Sequence, residues 1–331
     1  MRINRLFLLA SLVACVSNAT SSSGQESQKQ SCDVPLVVTR FVPASRTIEL
    51  VKDLGLEDLT VQLGALPGQL ESASIEDGPK RVAQVLDASE SIPADEWKLQ
   101  KEMTAKLISH ARISDRFAIV FVGIDRPVPE LLSADEVVEE LRKMSSSRPT
   151  ATEHGERIYD AIIAAANHLN PPKFGDAIFL FGHAEDSGSK AGLNEVLELL
   201  LKNRFRFYAI SFTNPLIGKL PPGFNLNKPL PANVAKPKLV DVSAATGYFV
   251  SFRSVEDLSM PGQTELFEGF LADLYAGIAE PYRLKIPMPD IQGEVKLNIV
   301  LTKLKERKIN ERDVHYPHFI YPCPVLSPAS P

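Results

Sequence analysis

Apolar runs alternate with stretches of helical periodicity through the middle of the chain, and this alternation limits the folds that the chain can adopt. The runs that have the length and composition of buried strands are 81–87, 117–124, 177–181 and 205–212. The stretches with helical spacing of apolar residues are 94–112, 156–169, 193–201 and 266–279. Alternating strands and helices predict parallel strands joined by crossover helices on both faces of a sheet. The predicted fold class is therefore α/β, with a doubly wound, mostly parallel sheet.

The two flanks of this region have a different pattern. Residues 34–78 contain short β-rich pieces, and apolar residues alternate with polar ones at 282–286 and 295–299. Alternation with a period of two predicts strands. We expect the two late strands to form a β-hairpin that joins the early pieces in one accessory β-sheet made from both ends of the chain. The predicted divisions are an accessory β-segment at 32–79, the α/β domain at 80–280 and a C-terminal β-hairpin region at 281–331.

The first residues have the layout of a secretory signal. Two arginines precede an apolar run at 6–14 that is too short to span a membrane, and the run ends in LVAC. LVAC resembles the bacterial lipobox, in which the cysteine is lipidated and becomes the new N-terminus, whereas ordinary cleavage near 17–19 is the alternative. We interpret 1–15 as a lipoprotein-type signal peptide with lipidation at Cys15, followed by a flexible Ser-rich tether at 16–31. The expected location is the cell envelope, lipid-anchored on the periplasmic or outer-membrane face, or otherwise the secreted fraction.

The cysteine count agrees with an exported protein. The chain has 3 cysteines, and once Cys15 is assigned to a lipid, Cys32 and Cys323 remain. These two can pair in an oxidising compartment, which would join the ends of the mature chain. Two unpaired buried thiols are the alternative.

Composition and charge exclude one class of partner. A formal net charge of -5 provides no basic field for binding nucleic acid. A hydrophobic content of 44% and a charged content of 23% are typical of a globular protein with a full core. Membrane contact is expected only through the lipid anchor.

A polar loop follows the first strand of the α/β region. In the stretch QVLDASES, Asp87, Ser89 and Ser91 stand at alternate positions at the carboxyl end of that strand. Open parallel sheets bind their ligands at this edge. A tight loop with this spacing can turn three oxygen atoms toward one point, and hard cations such as Mg²⁺ take oxygen ligands. The alternative is that Ser91, followed by Pro93, simply begins a helix.

The DASES loop resembles the D-x-S-x-S motif of the von Willebrand factor type A (vWA) domain, a Rossmann-like fold. The metal-ion-dependent adhesion site of that family binds a divalent cation and, through it, an acidic residue of a protein partner. GERIYDAI at 155–162 and IFLFGHAEDSGS at 178–189 are similar to the second and third motifs of the family. Residues 56–61 and 76–78 resemble the β-region that precedes the domain in exported acidobacterial members. The resemblance spans about residues 35–300 and implies non-catalytic protein recognition or adhesion at the strand C-termini.

Two motif positions depart from the family pattern. Glu156 stands where the family usually has a threonine ligand, and His183 stands where it has the second aspartate. Imidazole suits Zn²⁺ or Mn²⁺ better than Mg²⁺; alternatively the site has lost its metal and Asp87 pairs with a protonated His183. A divalent cation (Mg²⁺, Mn²⁺ or Zn²⁺) is therefore one prediction, and a site without a cofactor is the favoured one. The residues that would form the metal site are Asp87, Ser89, Ser91, Glu156 and His183.

The loops around this site would supply the surface that a protein partner contacts. Thr152, Glu185 and Asp186 are the expected rim, and the resemblance implies that an acidic residue of the partner meets the site. Thr150 or Thr152 could replace the missing threonine ligand if the loop shifts, and Glu185 or Asp186 could reach inward.

Two other classes of function remain open. Asp87, Ser89 and His183 could in principle form a hydrolytic triad, but the sequence has no nucleophile elbow and no oxyanion signal, so no enzyme activity is predicted. The other class is a structural envelope module with a vestigial metal site. Such a module would make its contacts through the proline-rich insertion at 214–238 or through an exposed sheet edge.

Overall fold

The computed structural model describes most of the chain between Ser31 and Cys323. The described residues are 31–42, 47–89, 91–124, 130–144, 155–183, 186–211, 242, 246, 250–252, 263–288, 293–304, 306 and 308–323. Residues 1–30, which include Cys15, the signal segment and the predicted tether up to its last residue, lie outside these ranges, as do Thr150, Thr152, Glu185 and the insertion at 214–238. Ser31, predicted as the end of the tether, is the first residue of a strand. Within the ranges, no helix is both long enough and apolar enough to cross a membrane.

The described part contains the following strands and helices. The strands are β1 (Ser31–Val42), β2 (Thr47–Leu50), β3 (Leu59–Leu63), β4 (Leu66–Gly68), β5 (Ser72–Ile75), β6 (Arg81–Asp87), β7 (Arg116–Val122), β8 (Ala177–Gly182), β9 (Arg206–Ser211), β10 (Val250–Phe252), β11 (Tyr282–Pro287), β12 (Val295–Leu301), β13 (Val314–His315) and β14 (Phe319–Ile320). The helices are α1 (Ala94–Ile108), α2 (Ala134–Lys143), α3 (Ile158–His168), α4 (Leu193–Asn203) and α5 (Gln263–Ala279).

A parallel sheet forms the centre of the α/β part. Its strand order is β10-β9-β8-β6-β7, and every neighbouring pair is parallel. Along the chain, β6 is followed by β7 on one side and then by β8, β9 and β10 on the other. The winding direction therefore reverses between β6 and β8, and this reversal is the topological switch point of a doubly wound sheet.

Apolar residues on both faces of the sheet explain why helices cover it on both sides. In β6, Val82 and Leu86 belong to one buried cluster, while Ala83 and Val85 belong to another. The first cluster is completed by side chains of α1, α2 and α5, and the second by side chains of α3 and α4. Strands buried on both faces are expected in sheets of this type. The predicted α/β class is confirmed.

The two flanks of the chain form antiparallel sheets, as the alternating pattern predicted. One sheet has the order β13-β1-β11-β5, with β2 also paired to β1, and the other has the order β14-β12-β3-β4. A third buried cluster takes alternate residues of both sheets, such as Val34, Leu284 and Leu297. The accessory part is therefore built from both ends of the chain, but as two sheets that share a core instead of the single predicted sheet.

The predicted β-hairpin between the two late strands is not formed. Leu284 of β11 is in register with Val34 of β1, whereas Leu297 of β12 is in register with Leu63 of β3. Each strand does alternate, with buried residues at every second position. This alternation determines which face of a strand is buried, but it leaves the choice of the neighbouring strand open. The two apolar faces meet across the shared core and do not lie side by side in one sheet.

A disulfide bond joins the two flanks. Cys32 in β1 is bonded to Cys323, over a sequence separation of 291 residues, with the two Cα atoms 5.6 Å apart. The predicted pairing of these cysteines is confirmed.

Buried basic side chains hold the junction between the parallel sheet and the accessory sheets. Arg206 at the start of β9 is fully buried, and its guanidinium donates to the carbonyls of Gly277 (3.0 Å) and Ile278 (2.8 Å) near the end of α5. Lys80, just before β6, donates through Nζ to the carbonyl of Gly78 at 2.6 Å. Burial lowers the pKa of Lys80 to about 8, despite the nearby carboxylate of Glu76. These contacts hold the end of α5 and the segment between β5 and β6 against the starts of β9 and β6, at the end of the parallel strands opposite to the DASES loop.

Candidate functional site

The carboxyl ends of β6 and β8 lie next to each other at the switch point. Asp87 is the last residue of β6, and His183 directly follows β8. Ser89 and Ser91 lie in the loop that leads from β6 to α1, and Glu156 precedes α3. The contacts described below bring these five predicted residues together in one crevice.

The Asp87 carboxylate connects the ends of the two strands. Its Oδ1 accepts the backbone N–H of Ser89 at 3.0 Å, and its Oδ2 accepts the backbone N–H of His183 at 3.0 Å. Asp87 is fully buried, and burial raises the pKa of its carboxyl, although hydrogen bonds from Ser89 and His183 act in the opposite direction. The main role of this side chain is therefore to hold the backbone of the crevice in place.

Gln100 of α1 holds the backbone of Asp87 from the other side. The Gln100 side-chain oxygen accepts the Asp87 N–H at 2.9 Å, and its side-chain nitrogen donates to the Asp87 carbonyl at 3.1 Å. A buried backbone N–H or carbonyl without a partner is costly, and these bonds give both groups of Asp87 a partner. The pair of hydrogen bonds fixes α1 to the end of β6.

Gly182 makes the close approach of the two strand ends possible. Its φ is +153°, and a Cβ atom at this position would lie 2.2 Å from the Cβ of Asp87. Real Cβ atoms do not come this close to one another. A glycine is therefore required where β8 ends beside Asp87.

A chain of hydrogen bonds runs across the mouth of the crevice. The hydroxyls of Ser89 and Ser91 are 3.0 Å apart, and Ser91 Oγ donates to Glu156 Oε1 at 2.6 Å. The same Glu156 oxygen lies 3.0 Å from His183 Nδ1. On the other side of the ring, His183 Nε2 lies 3.4 Å from Oε1 of Glu96, a buried residue in the first turn of α1.

The carboxylates on both sides of the ring favour its protonated form. Burial alone would lower the pKa of His183, but contacts with Glu156 and Glu96 and the charge of Asp87 outweigh it and raise the pKa to about 10. The contact with His183 in turn lowers the pKa of Glu156, against the opposing effect of burial. The two carboxylates and His183 thus favour each other's charged forms.

The predicted pairing of the Asp87 carboxylate with the His183 ring is replaced by a different arrangement. Asp87 accepts the backbone N–H of His183, while the imidazolium lies between Glu156 and Glu96. The physical reason is the short distance between the strand ends. Because Gly182 brings the backbone of β8 against Asp87, the carboxylate is used by backbone N–H groups and the ring contacts carboxylates from α1 and from the segment before α3.

The loop after β8 is attached to the start of α3. The Glu156 carbonyl accepts the N–H groups of Ser187 (2.9 Å) and Gly188 (3.0 Å). Asp186 Oδ1 accepts the N–H of Tyr159 at 3.1 Å in the first turn of α3. Asp186, which was predicted to lie on the rim or to reach inward, has described contacts with the start of α3 and the adjacent Ser189. A carboxylate is favourable at a helix N-terminus, where unpaired N–H groups point outward.

The described oxygen atoms of the crevice make hydrogen bonds within the protein. Both Asp87 carboxylate oxygens accept backbone N–H groups, and Glu156 Oε1 accepts from Ser91 and lies next to the His183 ring. A histidine nitrogen must lose its proton before it can bind a metal, and the raised pKa of His183 opposes that loss. Within the described ranges there is no group of three or more His, Cys, Asp or Glu side chains placed to hold a metal ion.

Two residues that shape the crevice were absent from the sequence-based set. Glu96 and Gln100 are four residues apart on α1, and both are buried. Their spacing places them on the same face of the helix, together with the apolar residues that contact the sheet. Polar residues on the apolar face of the helix that directly follows the DASES loop were the signal that could have identified them.

Comparisons with known proteins give matches among solved structures. No family model matches the chain, and no curated protein matches its sequence. One match is the conserved hypothetical protein BatB from Bacteroides thetaiotaomicron, which is 13% identical in sequence with a TM-score of 0.41. The match spans 60% of this chain and 99% of the BatB chain. Another match is a von Willebrand factor type A structure from Catenulispora acidiphila, which is 12% identical with a TM-score of 0.44. It spans 84% of this chain and 71% of the Catenulispora chain.

The SpRpn10 VWA domain is 11% identical to this chain, with a TM-score of 0.37. The match spans 60% of this chain and 94% of the SpRpn10 chain. At such low values the similarity adds nothing to the description of the site. The strand order, the helices on both faces and the position of DASES at the switch point come from this chain itself. On those features, the centre of the molecule is a doubly wound α/β fold, and vWA domains are among the solved structures to which the chain is similar.

Proposed function

We propose that this protein recognises another protein through the crevice at the carboxyl ends of β6 and β8, without catalysing a reaction. The observation that carries the proposal is the convergence of the DASES loop, Glu156 and His183 at the switch point of the sheet. Open parallel sheets bind their ligands at this place. The segments that form the crevice are also held rigidly by the hydrogen bonds of Asp87, which favours binding without a large rearrangement.

The mouth of the crevice offers polar groups to a partner. Ser91, Gly155 and Ser187 are exposed at its edge, and Glu156 and His183 are partly exposed below them. Hydrogen bonds from such groups can fix the orientation of a docked segment, while the surrounding loop surface supplies area. This arrangement supports a protein ligand more than a small apolar molecule.

The contacts of the His183 ring support a binding role over hydrolysis. In a Ser-His-acid triad the histidine must accept the proton of the serine, so it needs an unprotonated nitrogen. Here the ring lies between Glu156 and Glu96, and its pKa is raised to about 10. The Asp87 carboxylate contacts the backbone N–H of His183 instead of the ring.

The proposed location is the cell envelope. A lipid on Cys15 would anchor the chain, and the partner would be another exported protein. The disulfide between Cys32 and Cys323 supports export, because such bonds persist mainly in oxidising compartments.

The proposal is tested by blocking the mouth of the crevice. The purified chain would be immobilised and used to capture proteins from a detergent-solubilised envelope extract, with quantification by mass spectrometry. Ser91→Trp places a large side chain at the mouth and should reduce capture of the specific partner at least about tenfold, a loss on the scale of one binding hot spot. Ser109→Trp is the matched control, because Ser109 is exposed at the other end of α1.

Equal capture by the two tryptophan variants would contradict the proposal. Deletion of 214–238 distinguishes the remaining alternative. If that deletion abolishes capture while Ser91→Trp has no effect, the insertion makes the contacts and the crevice does not.

A further inference from the structure

We infer that a cavity between α5 and the accessory strands β1, β2 and β13 binds a small organic cation with an apolar body, such as an alkylammonium ion. The cavity has a volume of about 270 Å³. None of the described residues that line it belongs to the crevice at the strand ends. The inference therefore does not depend on the proposed function.

One face of α5 forms a wall of this cavity. Phe270, Asp273, Leu274 and Gly277 line it, at positions i, i+3, i+4 and i+7 of the helix. Residues with this spacing lie on the same face of a helix. The neighbouring stripe of α5, which includes Leu271, is buried in the core of the parallel sheet. The helix thus has a second stripe for the cavity, in which Phe270 and Leu274 are only partly buried.

The other walls are mainly apolar as well. Val37 of β1 and Ile48 of β2 come from the accessory strands, and Tyr208 comes from β9 of the parallel sheet. An apolar cavity of about 150 Å³ can hold a benzene molecule, so this larger one has room for an alkyl chain of about six carbons with a polar head group. Transfer of such a chain from water to apolar walls is favourable.

One carboxylate in the lining has no cation beside it. Asp273 is partly buried, and its Oδ2 accepts the backbone N–H of Ile48 at 3.3 Å. Within the described ranges, no basic side chain lies within 4.0 Å of this carboxylate, and its Oδ1 accepts no hydrogen bond. Burial raises the pKa of the Asp273 carboxyl and Glu49 acts in the same direction, whereas the hydrogen bond from Ile48 and the charge of His110 oppose them. An ammonium group at Oδ1 would supply both a positive charge and hydrogen-bond donors.

The charges of the lining distinguish between classes of ligand. Among the described lining residues, Asp273 and Asp313 carry carboxylates, His315 carries an imidazole, and none is Lys or Arg. An anionic ligand would meet like charge. A neutral apolar ligand would exclude water from Asp273 without replacing its hydrogen bonds, which is costly. A protonated amine on an apolar chain suits both the walls and the carboxylate.

Calorimetric titration of the purified chain with n-hexylamine, 1-hexanol and hexanoate at pH 7 tests the inference. The three probes have the same chain length, and at this pH they are cationic, neutral and anionic. Hexylamine should bind at one site at least about tenfold more tightly than 1-hexanol, and hexanoate should show no saturable binding. n-Butylamine should bind about tenfold more weakly than hexylamine, because its shorter chain buries fewer CH₂ groups. The absence of saturable hexylamine binding, or equal affinities for hexylamine and 1-hexanol, would overturn the inference.

A variant without the carboxylate charge tests the role of Asp273. Asp273→Asn keeps an oxygen that can accept the N–H of Ile48, so it changes the charge more than the contact. It should bind hexylamine at least about tenfold more weakly than the wild type and 1-hexanol with unchanged affinity. Asp135→Asn is the matched control, because Asp135 is exposed in the first turn of α2, and it should leave both affinities unchanged. Equal affinities of the two variants for hexylamine would contradict the assignment.

A measurement on the wild type alone locates the site and does not depend on whether the variants fold. In ¹³C-methyl NMR spectra recorded during the hexylamine titration, the methyl signals of Val37, Ile48 and Leu274 should shift with the Kd that calorimetry gives. Saturating shifts that occur only in other methyl groups would place the amine elsewhere and overturn the inference.

Discussion

Gly182 lies where the end of β8 comes close to the side chain of Asp87. A methyl group at this position would lie 2.2 Å from the Cβ of Asp87, and the φ of +153° is one that other residues rarely adopt. The strand ends would have to separate to make room, which would lengthen the hydrogen bond between Asp87 and the backbone of residue 183. We therefore expect Gly182→Ala to lower the free energy of unfolding by about 2 kcal/mol or more, measured by urea denaturation.

A second glycine provides a control of opposite sign. Gly269 is exposed on α5, and a Cβ atom there would have no neighbour within 4 Å. Alanine has a higher helix propensity than glycine, so Gly269→Ala should raise the free energy of unfolding by about 0.5–1 kcal/mol. A similar loss of stability in both variants would show that the tight contact at Gly182 is not the cause.

The charge of His183 makes stability depend on pH. Its pKa is about 10 in the folded chain and near the ordinary value of 6.5 when unfolded. Below pH 6.5 both states bind the proton, and the stabilising contribution is complete. Between pH 6.5 and 10 only the folded state keeps the proton, so the contribution decreases as the pH rises.

The measurable quantity is the difference in unfolding free energy between the wild type and His183→Gln. It should fall by about 2–4 kcal/mol from pH 6 to pH 10, after allowance for solvent screening of a partly exposed ring. Lys80, whose pKa is lowered to about 8, titrates in the same range with the opposite sign. The contribution of Lys80 is the same in both proteins and cancels in the difference. A difference in unfolding free energy that stays constant with pH would contradict a raised pKa of His183.

The sequence predicted the members of the site better than their contacts. Asp87, Ser89 and Ser91 were found because their spacing is local and follows a strand, and Glu156 and His183 were found from the matching motifs. The contacts of the ring could not be predicted, since they depend on how closely two strand ends approach and on which face of α1 is turned inward. Both are properties of the packed structure.

At the scale of elements, α1 and β6 are joined by polar contacts in addition to apolar packing. Gln100 is fully buried and makes two hydrogen bonds to the backbone of Asp87. Gln100→Leu would leave a buried N–H and a buried carbonyl without these partners. We expect the free energy of unfolding to fall by about 2–4 kcal/mol, measured by urea denaturation. Glu102→Leu, at an exposed position of the same helix, should change it by less than about 0.5 kcal/mol.

The positions of the strands in the sequence were predicted more reliably than the pairing between them. The runs at β6, β7, β8 and β9 were identified from buried apolar sequence, and their parallel order follows from the crossover helices between them. The late strands β11 and β12 were also identified, but their alternation does not specify a partner. The partners of β11, which are β1 and β5, and the partner β3 of β12 all precede these strands by more than 200 positions, so no turn between them reveals the register.

At the scale of the whole molecule, the disulfide connects the two flanks. The bond between Cys32 and Cys323 closes a loop with a sequence separation of 291 residues. On the loop-entropy account, removing it should lower the free energy of unfolding by on the order of 5 kcal/mol. Denaturation of the double variant Cys32→Ser, Cys323→Ser, compared with the wild type, measures this loss. Reducing agent should lower the stability of the wild type and leave the double variant unchanged.

The same bond makes the folded chain a covalent ring. The parallel sheet with its helices and the accessory sheets both lie between Cys32 and Cys323 in the chain, and so do the loops around the crevice. One proteolytic cut anywhere in that interval therefore opens the ring but releases no fragment, whereas a second cut is needed to free a piece. After limited digestion to a single cut, the protein should run as one species without reducing agent and as two with it. Damage to one exposed loop thus leaves the crevice covalently attached to the N-terminal segment that leads to the proposed anchor.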